Sequence, residues 1–362
     1  MAQRLNERRE LRHDFEGVAS DSGMPRLRDG VCTALCLQDG VGCLFAANYD
    51  HEIGDGLVFV NKRGVRKSGW AEDPSSGRHA VWTSKYGSVT FNLVMQNSAW
   101  GGMNEAGLAI STLFLAGSRP PSRDDRPWVD SGTWVQYVLD ACATIGDVIG
   151  LDARVRIREY ADHYLIGDRN GGCAAIEFVG GRMVVHSGEG MPARCLANST
   201  YEESLAALGG SAPHGASEDA VYLRSLERFC IAAERSHAFR SDGPQSALDY
   251  AFETLAAVGG APTQWSLVLD CCHDRLYFRT QVNPDIRRVD LSKLDFSCAT
   301  PVRMVDVHAR ATGDVTQALP LYSAEAHFEH ALRAWARWGT AISPATLRGI
   351  LRHMDGFSCA KE

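Results

Sequence analysis

Cys32 and Thr33 open a run of clustered and alternating apolar residues, and Asp50 follows 18 residues later at the end of Phe45-Ala46-Ala47-Asn48-Tyr49-Asp50. A thiol is a nucleophile once deprotonated, and a carboxylate can hold or orient the group that takes its proton. If the two segments fold back on each other around Gln38-Asp39-Gly40, as a hairpin does, Cys32 and Asp50 meet at one end of a sheet. Spacing alone is weak support, because a cysteine in a strand is most often a small buried hydrophobe. The standard short motifs add nothing: the chain has no P-loop, no Gly-rich dinucleotide fingerprint after a strand, no G-x-S-x-G elbow and no H-E-x-x-H.

The elements that must position this pair read as strands first and helices afterwards. Gly56 to Val60 leads through Asn61-Lys62-Arg63-Gly64 as a second hairpin-like pair. Trp82-Thr83 and Ser88 to Asn92 flank Tyr86-Gly87, and Leu108 to Phe114 is a further strand. From Ser131 the period changes, with Trp134, Tyr137, Val138 and Cys142 at helical spacing and a short helix over Asp147 to Leu151. Strands return at His163 to Ile166, Ala174 to Val179 and Arg182 to His186. Helices follow at Leu223 to Ala233 and Ala247 to Val258, then strands at Trp265 to Asp270 and Arg275 to Arg279. Ser323 and Ser343-Pro344 read as helix starts, the second with Pro at the first helical position. Asn104 reads as a turn residue fixing the start of a strand. Trp70, Trp82, Trp100 and Trp128 read as ordinary core aromatics or as the lining of an apolar pocket. Segregated strands and helices predict an α+β, layered architecture rather than alternating parallel βα units.

Composition narrows the partners. The chain has 362 residues, 22% charged and 45% hydrophobic, with a net charge of -7. That balance supplies no excess of cations for phosphates, which argues against a general nucleic-acid binder. No apolar run approaches the roughly 18 to 20 residues of a membrane span, so no membrane association is expected. The partner expected is a small molecule or protein. Eleven cysteines, an odd number scattered through a long chain, read as reduced thiols, which predicts a cytoplasmic protein. The charged first thirty residues lack the apolar core of a secretory signal. The absence of paired C-x2-C spacing argues against a metal site, and no cofactor is expected. Arg outnumbers Lys by 32 to 5, a bias of GC-rich bacterial coding.

The wider set of motifs resembles the choloylglycine hydrolase and penicillin V acylase family of N-terminal-nucleophile hydrolases, from Cys32 to about Phe328. The blocks that carry the resemblance are NYDHEIGDGLVFVNKRG, WTSKYGSVTFN, GGMNEAGLAIS, HYLIGDRNGGCAAIEFVGGRMVVHSGEG, LANSTYEESL, TQWSLVLD and YFRTQVNPDIRRVDLSKLDFS. The resemblance implies a four-layer αββα sandwich and hydrolysis of a linear amide C–N bond of an N-acyl small molecule through a thioester acyl-enzyme. It also implies autocatalytic removal of a leader at 1–31, a hydrolase domain at 32–340 and a C-terminal helical extension at 341–362. By the same resemblance Cys32 is the nucleophile, freed as the new N-terminus, with its own α-amine as base. Asp50 then holds that amine, and Asn198 and the Phe114 backbone N–H donate to the oxyanion. Arg228 lies beside the cluster, and Tyr49, His51 and the Phe114 ring contact substrate. A homotetramer is implied as well. Two positions depart from the pattern: Ala47 replaces an arginine frequent three residues before the aspartate, and His51 replaces a frequent tryptophan. Acyl transfer to an amine, and a catalytically silent binding protein, are the alternatives these departures leave open.

Overall fold

The computed structural model describes residues 32–39, 42–68, 78–158, 162–211, 220–241, 246–338 and 342–360. The leader at 1–31, Gly40 of the first turn and Trp70 lie outside the described residues. The chain opens with the expected hairpin, β1 (Thr33–Asp39) and β2 (Gly42–Asp50), paired antiparallel from Thr33↔Asn48 to Asp39↔Gly42. It continues through β3 (Leu57–Asn61), β4 (Val65–Ser68), β5 (Val81–Thr83), β6 (Ser88–Asn92), β7 (Ala99–Asn104), β8 (Ala109–Leu113) and β9 (Trp128–Asp130). Two helices come next, α1 (Ser131–Ala141) and α2 (Ile145–Ile149), the second started by a Thr144/Asp147 capping box. Then come β10 (Arg156–Arg158), β11 (His163–Gly167), β12 (Cys173–Val179), β13 (Arg182–Ser187) and the two-residue β14 (Cys195–Leu196). The helices α3 (Tyr201–Leu208), α4 (Ala220–Ala238) and α5 (Ala247–Val258) separate these from β15 (Thr263–Asp270), β16 (Arg275–Thr280), β17 (Arg287–Asp290), β18 (Arg303–Asp306) and β19 (Gly313–Asp314). The C-terminal region adds α6 (Ala324–Arg337), α7 (Pro344–Asp355) and β20 (Ser358–Cys359).

Two sheets organise these elements. One has seven strands in the order β14-β1-β2-β15-β16-β17-β19, and the other has eight in the order β13-β12-β11-β8-β7-β6-β3-β18. Side chains alternate across a strand, so each sheet must cover two faces. From β1 and β2, Cys36 and Phe45 point at the second sheet, where both crowd Gly167 of β11. Phe278 of β16 meets Phe91 of β6 edge-on at 5.2 Å across the same interface. The opposite face of the first sheet meets helices, as Asn48 shows by donating to the Leu255 carbonyl of α5 at 2.7 Å. The second sheet's outer face packs on α1 and α2 through Trp134, Val138, Leu139 and Val148. The result is the expected α+β fold, a four-layer αββα sandwich. Asn104 anchors one corner: its amide donates to the carbonyls of Leu139 and Cys142 while its oxygen accepts from the N–H groups of Ala106 and Leu108. It is the turn residue its sequence context predicts.

Two pairings differ from the expectation. β3 and β4 do not form a hairpin: β3 lies between β6 and β18 in the large sheet, and β4 belongs to a three-stranded sheet ordered β20-β4-β5. All five residues of β3 are buried, which suits a central strand, whereas β4 is mostly half-buried or exposed. The small sheet is fastened by Lys67, whose ammonium meets the Asp140 carboxylate at 2.9 Å in full burial, with Trp82 Nε1 donating to the same carboxylate. β5 and β6 likewise belong to different sheets. The reading of the cysteines as uniformly reduced is corrected too: Cys298 and Cys359 form a disulfide, and nine cysteines are free. The pairing arises because β20 returns from the C-terminus to lie on β4, which brings together residues 61 positions apart.

The disulfide closes a long loop, and its loss should destabilise the C-terminal region by about 2–4 kcal/mol through chain entropy. Cys359→Ser is expected to lower the melting temperature and to raise proteolytic sensitivity after Arg337. An unchanged melting temperature under non-reducing conditions would show that the link contributes nothing.

Candidate active site

Cys32 stands at the entry to β1 with its sulfur 4.0 Å from the Asp50 carbonyl oxygen, so the hairpin brings the two residues to one sheet end as their spacing predicts. The thiol is 5% exposed, and burial, reinforced by the Asp50 charge, pushes its pKa up to about 12. A thiol so placed is protonated at neutral pH and needs a base before it can attack. Ala47, three residues before Asp50, is wholly buried between its strand partners Ala34 and Leu267 and offers no cation. Asp50 is 1% exposed, and burial raises its carboxyl to about 6 against a hydrogen bond from the Thr263 side chain and the charges of Arg228 and Arg224. Its Oδ1 is buried without a hydrogen-bond partner among the described residues. Such an orphaned carboxylate oxygen is costly unless a donor arrives.

Arg228 ties the cluster together. In α4 the buried positions Ser225, Leu226, Arg228, Phe229, Ala232 and Ala233 form one stripe, so Arg228 lies on the face turned to the core and is 4% exposed. Its Nη1 donates at 2.6 Å to both the Cys32 carbonyl and the Thr33 hydroxyl, and its Nη2 donates at 2.9 Å to Asn198 Oδ1. Burial lowers its pKa, with Asp50 and Cys32 opposing.

Asn198 follows β14, which is held on β1 by Ala34↔Leu196 and Leu35↔Cys195. Its backbone N–H donates to Ser225 Oγ at 2.8 Å, and its Nδ2 donates to the Phe114 carbonyl at 2.9 Å. The amide orientation follows from chemistry: the oxygen faces a guanidinium, which can only donate, and the nitrogen faces a carbonyl, which can only accept. One Nδ2 hydrogen is thereby engaged and the second is left for another acceptor. Phe114 comes from the end of β8 in the other sheet, so this bond joins the two sheets at the site. Four segments therefore converge: Cys32 and Asp50 on the first hairpin, Asn198 beyond β14, Arg228 on α4 and Phe114 beyond β8.

Tyr49 and His51 flank Asp50 differently. The Tyr49 ring is 1% exposed and stacks on Trp265 at 4.3 Å, with Trp100 edge-on at 5.4 Å. His51 stacks on Trp338, the residue that ends α6, at 4.7 Å. Sequence reasoning missed Ser225, Thr263 and the pair His163–Glu177 behind Asn198. Their signals were present: Ser225 lies on the buried stripe of α4, and His163 and Glu177 are polar residues in otherwise apolar strands.

Glu177 sits 2% exposed against three donors. Burial pushes its carboxyl up, but hydrogen bonds from His163 and His186 and from the Tyr201 N–H outweigh it and bring it down to about 2. A carboxyl whose folded pKa lies below its unfolded value of about 4.3 contributes stability that is present above the unfolded pKa and lost as pH falls towards the folded one. Glu177 should thus contribute on the order of 3 kcal/mol that disappears between roughly pH 4.5 and 2. Asp50 and Asp162, raised to about 6 and about 7, act with the opposite sign. Comparing wild type with Glu177→Gln isolates the term: the stability gap between them should narrow across that acid window, and a constant gap would contradict the assignment.

The comparisons with known proteins agree with the fold. A sequence model of the linear amide C–N hydrolases, choloylglycine hydrolase family, matches residues 32–210. Penicillin V acylase of Pectobacterium atrosepticum is 24% identical over 288 residues, covering 66% of this chain and 74% of that protein. The solved structure of penicillin V acylase from Agrobacterium tumefaciens superposes with a TM-score of 0.68 at 25% identity, over 81% of this chain and 98% of that one. A variant of conjugated bile acid hydrolase from Clostridium perfringens shares the fold, with a TM-score of 0.62 at 17% identity over 76% and 96% of the two chains. The protein is a hydrolase of the linear amide C–N class. Over residues 32–210 it resembles the choloylglycine hydrolase family. Among the described residues no helix is long and apolar enough to cross a membrane.

Proposed function

We propose that the chain is a cysteine N-terminal-nucleophile amidase acting on an N-acyl small molecule, made active by cleavage of the Val31–Cys32 bond and loss of residues 1–31. The observation that carries this reading is the Arg228 guanidinium, which touches the Cys32 carbonyl, Thr33 and Asn198 in one buried place. A purely structural arginine would have no reason to join the strand start holding a thiol to an amide donor from a distant loop.

The chemistry follows from the groups present. Cleavage turns the Cys32 nitrogen into an α-amine with a reference pKa of about 7.7 to 8.0, suited to take the thiol proton that burial holds so firmly. The orphaned Asp50 Oδ1 is the natural partner of the resulting ammonium. The thiolate adds to the acyl carbon, and the developing oxyanion accepts from the second Asn198 Nδ2 hydrogen and from the Phe114 backbone N–H. Collapse breaks the C–N bond, the leaving amine takes the proton back from the α-ammonium, and water then cleaves the thioester to free acid and thiol. His51 and the Phe114 ring line the approach to the acyl group, and Tyr49 supports His51 from beneath.

The relatives' names suggest the first substrates to try: penicillin V and glyco- or tauro-conjugated bile acids, with N-acyl homoserine lactones and N-acyl amino acids beside them. Intact mass of the purified chain combined with product analysis on this panel tests the reading. Loss of 31 residues together with release of free acid and amine supports it. A stable full-length chain without turnover on any member of the panel overturns it.

A further inference from the structure

His163 begins β11 opposite Leu113, one residue before Phe114, and is fully buried. Its Nε2 meets the Ala197 carbonyl oxygen at 2.7 Å, and its Nδ1 meets Glu177 Oε1 at 3.2 Å. A carbonyl can only accept, so Nε2 carries a hydrogen. Nδ1 faces the Glu177 carboxylate, so the ring bridges that carboxylate and the Ala197 carbonyl. Glu177 is itself fixed by the Tyr201 N–H at 3.0 Å, the first residue of α3, and by His186 Nε2 at 3.1 Å. The carbonyl that His163 grips belongs to the peptide plane whose nitrogen is that of Asn198, and that N–H is held by Ser225 from the other side. Both ends of the plane are therefore clamped, which sets the direction in which the Asn198 side chain leaves the backbone.

We infer that the buried His163–Glu177 pair is a positioning device for Asn198, holding the Ala197–Asn198 peptide so that the amide points at the acyl oxygen. The inference rests on the reading of Asn198 as an oxyanion donor. A donor misplaced by about 1 Å loses up to 10²-fold in rate while substrate binding is little changed. His163 touches no substrate in this arrangement and acts only through the peptide it holds.

The test is a kinetic series on the processed protein with penicillin V and glycocholate as probes. His163→Phe, which removes both bonds, is expected to lower kcat about 10- to 100-fold with KM within about twofold. His163→Gln, whose amide can still reach the Ala197 carbonyl, should recover most of the loss. His186→Asn, which alters only the far side of Glu177, should stay within about twofold of wild type, a contrast that a general structural role would not produce. If His163→Phe does not fold, the near-isosteric Glu177→Gln carries the test, with an expected kcat loss of about tenfold. Asn198→Ala in the same series separates the two ideas. Wild-type kcat in Asn198→Ala removes the oxyanion reading and this inference with it. A large loss there beside wild-type kcat in both His163→Phe and Glu177→Gln overturns this inference alone. No turnover of either probe by wild type overturns both.

Discussion

Cys32→Ala is expected to leave a folded chain that keeps its leader and turns over nothing. The substitution removes one sulfur from a site where the thiol is buried against the Asp50 carbonyl, so the stability change should be about 1 kcal/mol or less. The chemical change is expected to be total, because the cluster holds no second thiol: Asp50, Asn198 and Arg228 are a carboxylate, an amide and a guanidinium, and the Thr33 and Ser225 hydroxyls are engaged with Arg228 and the Asn198 N–H. Leader removal and amide turnover should be lost together, since in the proposed mechanism one sulfur serves both the leader bond and the substrate bond. Cys32→Ser separates degree from kind: its hydroxyl keeps the geometry but is a poorer nucleophile than the thiol, so slow processing is expected rather than none. Retained turnover in Cys32→Ala would remove the thiol from the mechanism.

The second large effect is at Asn198. Its replacement by Ala should lower kcat by roughly 10² to 10³, the usual cost of one oxyanion donor, or about 3–4 kcal/mol of transition-state stabilisation. KM should move little, because the lost bond forms only as charge develops on the oxygen. The backbone N–H still reaches Ser225, so the loop stays in place. The Arg228 Nη2 and the Phe114 carbonyl lose a partner, which should lower stability by about 1–3 kcal/mol. Asn198→Asp is the sharper variant. A carboxylate would pair with Arg228 and present oxygen to both the Phe114 carbonyl and the oxyanion, so kcat should fall further than in the alanine variant. Equal kcat in wild type and both variants would exclude Asn198 from the chemistry.

The part of this site that the sequence discloses by pattern is the local part. Cys32 and Asp50 share a hairpin, and a period of two with a short turn places them at one end of a sheet without any long-range information. Asn198 and Phe114 are 84 residues apart, and Arg228 lies 196 residues from Cys32. No periodicity links residues across such distances, so only the family resemblance brought them together. The misread β3–β4 hairpin has a related cause. A turn signal reports that the chain changes direction, not which neighbour each strand then takes, and complete burial of β3 decided that choice. The disulfide escaped notice because Cys359 meets Cys298 only after a two-residue strand at the chain's end finds β4, a pairing too short to leave a pattern.

The bond between Asn198 and the Phe114 carbonyl joins two sheets, and Arg228 adds a helix from outside them. The bonds from Asn198 to Phe114 and from Arg228 to Cys32 close loops of 84 and 196 residues, whose closure entropy must be met before they give anything back. They are therefore expected to form late in folding. If cleavage at Cys32 uses this constellation, as proposed above, leader removal would serve as a timestamp: a chain of 331 residues, 362 less the 31 of the leader, would have completed the docking of its sheets, and a partly folded chain would stay capped.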